Sequence, residues 1–145
     1  MNEIHFRIIL EHPPEGVDYA LQKGKGSQYD CVQKQRSEGE TIHFEFRAGP
    51  AMDKENQPDF RGPFVQGPPK QRFVYLNIGM SAGQKDTGWN RRLKIPLKGI
   101  TEEMIQPSKT GTGFILETKI PGRGPDGSPS CATVKPFPGW KKVNA

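Results

Sequence analysis

The sequence predicts an all-β protein: a single antiparallel β-sandwich or flattened β-barrel of about seven strands, with at most one short helix. Three observations lead there. Apolar residues recur at every second position in short runs, and Gly- and Pro-rich turns separate the runs. No stretch carries a helical period for more than a turn or two; the only helical hint is ITEEMIQ at 100–106.

The strands follow in chain order. In EIHFRIIL, Ile4, Phe6, Ile8 and Leu10 share one face while His5 and Arg7 point the other way. Pro13-Pro14-Glu15-Gly16 ends that strand, and Val17, Tyr19 and Leu21 repeat the pattern up to the KGKGS turn. TIHFEFRA turns Ile42, Phe44 and Phe46 inward and His43, Glu45 and Arg47 outward. Further strands are expected at 72–79 (RFVYLNIG), 92–97 (RLKIPL), 113–120 (GFILETKI) and 131–135 (CATVK), with GRGPDGSPS as a loose hairpin between the last two. Residues 1–135 read as one domain and 136–145 as a peripheral tail, with Trp140 either docked on the body or exposed.

The whole-chain numbers set bounds. A length of 145 residues fits one domain with one core. Seventeen glycines and fourteen prolines with only 32% apolar residues approach a disordered composition, but eight Phe, three Tyr and two Trp sit mostly inside the alternating runs, which have no use unless one face is buried. The formal net charge of +5 permits nucleic acid, anionic lipid or acidic ligands without selecting among them. No apolar run is long enough to cross a bilayer, and the N-terminus lacks the features of a signal peptide, so a cytoplasmic protein is expected. Cys31 and Cys131 are then expected as free thiols.

One strand differs. RFVYLNIG has Phe73, Tyr75 and Asn77 on one face and Val74, Leu76 and Ile78 on the other, so it is expected to be central and covered on both sides. PDFRGPFVQGPP at 58–69, just before it, is the nearest cover: Phe60, Phe64 and Val65 would lie on the sheet, and the prolines lower the entropy lost on fixing the loop.

Candidate site residues lie between Asp59 and Arg92. Arg61 and Gln66 project from the stiff loop, Tyr75 and Asn77 lie on the mixed face, and Gln84, Trp89 and Asn90 precede the next strand. Counting back by twos from Leu97 puts Arg91 on the inward phase and Arg92 and Lys94 on the outward phase. An inward Arg91 needs a partner: either Asp59 or Asp86, or, together with Arg61, the carboxylate or phosphate of a ligand. The basic set of Lys70, Arg72, Arg91, Arg92, Lys94 and Lys98 reads either as a solvated face or as a single-strand nucleic-acid surface, with no RNP-type consensus or KH-type loop. His5 and His43 share an outward phase and could be cross-strand neighbours near Glu45, two ligands short of a metal site; surface histidines are the simpler reading, and neither metal nor cofactor is expected. No nucleophile elbow or P-loop is present, and nothing in the sequence groups the carboxylates Asp18, Glu45, Asp59 and Glu117.

The segments FRGPFVQGPPKQRFVYLNIG, WNRRLKIPL and DGSPSCATV resemble a bacterial family of small proteins catalogued as a domain of unknown function, matching in order over most of Phe6 to Val134. The resemblance implies one intact bacterial domain and draws attention to the loop from Phe60 to Pro68, to Arg72, Phe73 and Tyr75, and to Arg91, Arg92 and Lys94. Three functions are then open: a binding module for a small anionic or aromatic ligand or a protein partner, an enzyme using an acid or base such as Asp59 beside Arg91, and single-strand nucleic-acid binding through the Lys/Arg face.

Overall fold

The structure, a computed structural model, describes residues 3–24, 31–52, 58–81, 89–107, 109, 111–129 and 137–145. Its strands are β1 (Ile4–Glu11), β2 (Val17–Gln22), β3 (Cys31–Arg36), β4 (Ile42–Met52), β5 (Pro58–Arg61), β6 (Phe73–Ser81), β7 (Trp89–Pro96), β8 (Phe114–Pro121) and β9 (Lys141–Asn144), with one helix, α1 (Glu102–Ile105). They form a five-stranded sheet, β5-β4-β1-β8-β9, and a four-stranded sheet, β3-β2-β6-β7. The two sheets pack as a sandwich, and among the described residues no barrel closes.

The alternating residues do what their period requires. Phe6, Ile8 and Leu10 of β1 are fully buried, and so are Tyr19 and Leu21 of β2, Phe44 of β4 and Val74 and Leu76 of β6. Phe6 lies at the middle of an aromatic cluster: its ring stacks on Phe46 at 4.7 Å, and Phe60 and Trp140 meet it edge-on at 5.2 and 5.3 Å. Each such ring contributes roughly 1.5–3 kcal/mol by leaving water. α1 is capped by Thr101, whose hydroxyl accepts from the Met104 N–H at 3.3 Å, and it turns Ile105 into the core. Among the described residues no helix is long and apolar enough to cross a membrane.

Two features depart from a plain antiparallel sandwich. β1 pairs antiparallel with β4 but parallel with β8, from Phe6 opposite Leu116 to Glu11 opposite Pro121, so the five-stranded sheet is mixed. β3, β5 and β9 were not expected as strands, and all three lie at a sheet edge. The expected strand 131–135 and Cys131 lie outside the described residues, as does the Cys31 side chain.

The seams between the sheets are stitched by side chains. Gln33 and Gln35 point inward from β3, opposite Leu21 and Tyr19, and reach the edge of β4. The Gln35 amide donates to the His43 carbonyl at 2.5 Å; the Gln33 amide donates to the Glu45 carbonyl and accepts from the Glu45 N–H at 3.3 Å. A primary amide carries one donor end and one acceptor end, so it can stand in for a neighbouring strand's peptide. On the other side, the Trp140 indole donates to the Pro96 carbonyl at 2.9 Å, joining the segment before β9 to the end of β7. Trp140 is docked, with 8% of its surface exposed.

Candidate functional site

The Pro/Gly-rich stretch begins as β5, which pairs antiparallel with β4 from Gly49 opposite Arg61 to Met52 opposite Pro58. Pro58 is tolerated there because an edge strand leaves one side without ladder bonds. Phe60 then enters the core and Phe64 tilts against Phe46 at 6.2 Å, so both rings serve the space between the sheets rather than the outer face of β6. Only the second half of the loop reaches that face. The Gln66 and Phe73 backbones exchange hydrogen bonds of 2.8 and 3.0 Å, and Gly67 lies flat on the Phe73 ring. Gly67 has φ +90°, and a Cβ there would stand 2.6 Å from the Gln71 carbonyl oxygen and 2.7 Å from the Phe73 ring. A side chain is excluded on both counts.

The loop is pinned by one ion pair. Arg72 donates through Nε to Asp59 Oδ1 at 2.8 Å and through a terminal nitrogen to Oδ2 at 3.0 Å, while its other nitrogen donates to the Gly67 carbonyl at 2.6 Å. The Asp59 side chain is 9% exposed and that of Arg72 18%. The hydrogen bonds from Arg72 hold the Asp59 carboxyl below its ordinary range despite its burial, and the same contact raises Arg72. A carboxylate held this way is an anchor rather than a proton donor. The partner expected for Arg91 is therefore taken by Arg72, and the other candidate, Asp86, lies outside the described residues.

The structure separates the remaining sequence-derived residues. Arg61 is exposed at the end of β5, with Nε 3.9 Å from Asp59 Oδ2. Gln66 turns its side chain toward Gly24, and its amide nitrogen is buried without a hydrogen-bond partner among the described residues. Asn77 is fully buried, opposite Ala20 on one side and Arg92 on the other. Trp89 opens β7 opposite Gly79, but its side chain, that of Asn90 and all of Gln84 lie outside the described residues. Arg91 pairs with Ile78 and so keeps the inward phase, yet it is exposed; Asp126 of the 122–129 turn is held low chiefly by hydrogen bonds from Ser128, and the Arg91 charge adds only a minor part. Tyr75 is opposite Lys94 on the outer face, three positions along β7, so Arg91 and Tyr75 do not converge.

What does converge on that outer face is a ladder of cations and rings. Phe73 and Tyr75 are half-buried with centroids 4.8 Å apart. The Arg92 guanidinium lies 4.6 Å from the Tyr75 centroid, and Lys94 Nζ lies 4.3 Å from that of Phe73. Each contact is diagonal across the β6–β7 register, within reach of long side chains. The result is two exposed cations held over two rings, beside the tip of the pinned loop.

Residues 4–143 match the family described as a family of unknown function, DUF5990. The chain belongs to DUF5990. No curated protein and no solved structure matches it.

In this DUF5990 chain the sequence missed two roles. Arg72 was one of a basic set, with nothing to single it out as the partner of Asp59. Arg92 and Lys94 have the outward phase, and the repeat of rings at 73 and 75 with cations at 92 and 94 is the available signal, but only the β6–β7 register shows which ring each cation covers. The two histidines are not cross-strand neighbours: His5 is opposite Arg47 and His43 opposite Ile9. Glu45 lies between them and is claimed by Arg7 Nε at 2.9 Å and His5 Nε2 at 3.3 Å, while Arg7 also reaches Glu117 at 3.4 Å. Among the described residues no three His, Cys, Asp or Glu side chains gather as metal ligands. Tyr19, sealed in the core, is pushed up to about 12 by burial and stays protonated.

Proposed function

We propose that this chain is a cytoplasmic binding module for a small anion, carboxylate or phosphate, recognised on the outer face of β6 and β7 by Arg92 and Lys94. The observation that carries this reading is the pair of cations stacked over Tyr75 and Phe73. A cation held over a ring commits none of its N–H donors to a conventional hydrogen bond there, so the guanidinium fork and the ammonium remain available to an oxyanion. Arg61, exposed at the end of β5, is a further cation on the same loop.

Among the described residues Arg92 and Lys94 lie over the two rings of this face, which leaves a nucleobase less open aromatic surface to stack on and favours the anion reading over a single-strand nucleic-acid surface. The enzyme reading needed Asp59 as acid or base, and Arg72 occupies both of its oxygens.

The test is an NMR titration with pyrophosphate and with citrate, reading backbone amides and Arg Nε–H signals. Shifts centred on residues 73–75 and 92–94 are expected for at least one anion, and Arg92→Gln with Lys94→Gln should weaken binding about tenfold or more. Identical titrations for wild type and double variant would refute the reading.

A further inference from the structure

A concavity lies away from that face, at the foot of the five-stranded sheet. It is a half-open groove of about 1070 Å³, comparable with sites that hold drug-sized ligands. One wall is the start of β1 with its partner on β4 and carries Glu3, His5 and Arg47. Another is α1 and the turn after it, which bring Glu102 and Ile105. Residues 111–113 and Phe114, the first residue of β8, complete it.

Its charges are unspent. Arg7 and Glu117 on the same sheet are tied into ion pairs, but Arg47, Glu3 and Glu102 have none among the described residues. They line one groove with both signs present and do not neutralise one another. The apolar floor is Ile4 and Ile105, each almost buried, and Phe114, half-buried, with Lys142 Nζ 4.4 Å from its ring centroid. That same ammonium donates to the Gln106 carbonyl at 2.6 Å, which fastens the turn after α1 to β9 and fixes the wall. An anion alone would satisfy Arg47 and leave two carboxylates facing it; a cation alone would face Arg47. A ligand carrying both an ammonium and a carboxylate, separated by apolar groups, meets every side.

We propose that this groove binds a short zwitterionic peptide, its carboxylate on Arg47, its ammonium toward Glu102 and Glu3, and an apolar side chain on Ile4, Ile105 and Phe114.

The probes are the dipeptide Ala-Leu, its N-acetyl form and its C-terminal amide, titrated into the full chain with backbone amides followed by NMR. At about 10 mM, Ala-Leu with a dissociation constant near 1 mM nears saturation, and shifts are expected at residues 4–5, 47, 102–106 and 112–114. Acetylation and amidation should each weaken binding about fivefold or more. Arg47→Ala should weaken Ala-Leu by the same factor and leave the amide unaffected; Glu102→Gln should do the reverse with the acetylated form. Both residues are exposed, so the variants are expected to fold, and unchanged far-UV circular dichroism checks it. Absence of shifts, equal affinity for all three probes, or shifts confined to 73–75 and 92–94 would overturn the proposal.

Discussion

Replacing Asp59 with Asn tests whether the ion pair with Arg72 holds the Pro/Gly-rich loop. The substitution keeps the shape of the side chain but puts an amide where one carboxylate oxygen was. One Arg72 bond, of 2.8 or 3.0 Å, can persist as a neutral hydrogen bond; the other becomes donor against donor. Removing one partner of a buried pair costs about 3–5 kcal/mol, and a hydrogen bond to a charged group is worth about 1.5–3 kcal/mol. Arg72 keeps 18% of its side chain in water and its bond to Gly67, which places the expected loss at the lower end, about 3 kcal/mol. For a 145-residue domain that corresponds to roughly 6–12 °C in Tm. The pH dependence has a definite sign. The folded carboxyl is lowered from its ordinary 3.8, so its contribution is complete above that value and disappears as pH falls through the lower folded value. Urea melts of wild type and Asp59→Asn should therefore differ by about 3 kcal/mol at neutral pH, and the difference should shrink progressively as pH falls below 3.8. A difference under about 0.5 kcal/mol at neutral pH, or one that persists unchanged into acid, would refute the pin.

Two further predictions concern the frame. Gly122 donates to the Glu11 carbonyl at 2.7 Å, and a Cβ there would stand 2.5 Å from that oxygen and 2.6 Å from Pro13 Cα. Gly122→Ala should cost about 2–3 kcal/mol in a thermal melt, because the obstacles are backbone and cannot rotate away. Gln33→Ala with Gln35→Ala should unstitch β3 from β4: hydrogen exchange at the Glu45 amide, which Gln33 accepts, should accelerate about tenfold or more, and the freed edge should promote self-association visible by light scattering.

How far the fold was legible depended on where each strand lies. β1, β2, β4, β6 and β8 are interior to their sheets and bury a full alternating face, so their period of two shows in the sequence. The missed strands β3, β5 and β9 are edges; β7 is an edge too, but it buries Leu93 and Ile95 and so keeps a legible period. In CVQKQR the inward positions are Gln33 and Gln35, polar because they face a seam and not the core. KKVN offers one apolar residue in four, and PDFR is punctuated by proline. The parallel pairing of β1 with β8 leaves no local trace, since register between strands more than a hundred residues apart is set by the whole fold. The site was harder still. Of the two acids expected for Arg91, Asp59 is held by Arg72, which reaches back across the loop from one residue before β6, and Asp86 lies outside the described residues; Arg91 keeps the inward phase but is exposed.

The covered rings decide which chemistry the outer face offers. Tyr75 alone on a half-exposed strand would favour a flat apolar ligand, since a bare ring gains by stacking. With Arg92 over it, a stacking ligand must either displace the guanidinium, forfeiting about 0.5–1 kcal/mol of cation–π attraction, or stack on the guanidinium itself. An oxyanion meets neither obstacle: it approaches the N–H edge, leaves the stack intact, and finds Lys94 held on the adjacent ring. On the proposed reading the same rings lower the entropy that Arg92 and Lys94 would lose in holding a carboxylate or phosphate, so shortening Tyr75 to Leu should weaken anion binding while leaving both cations in the chain.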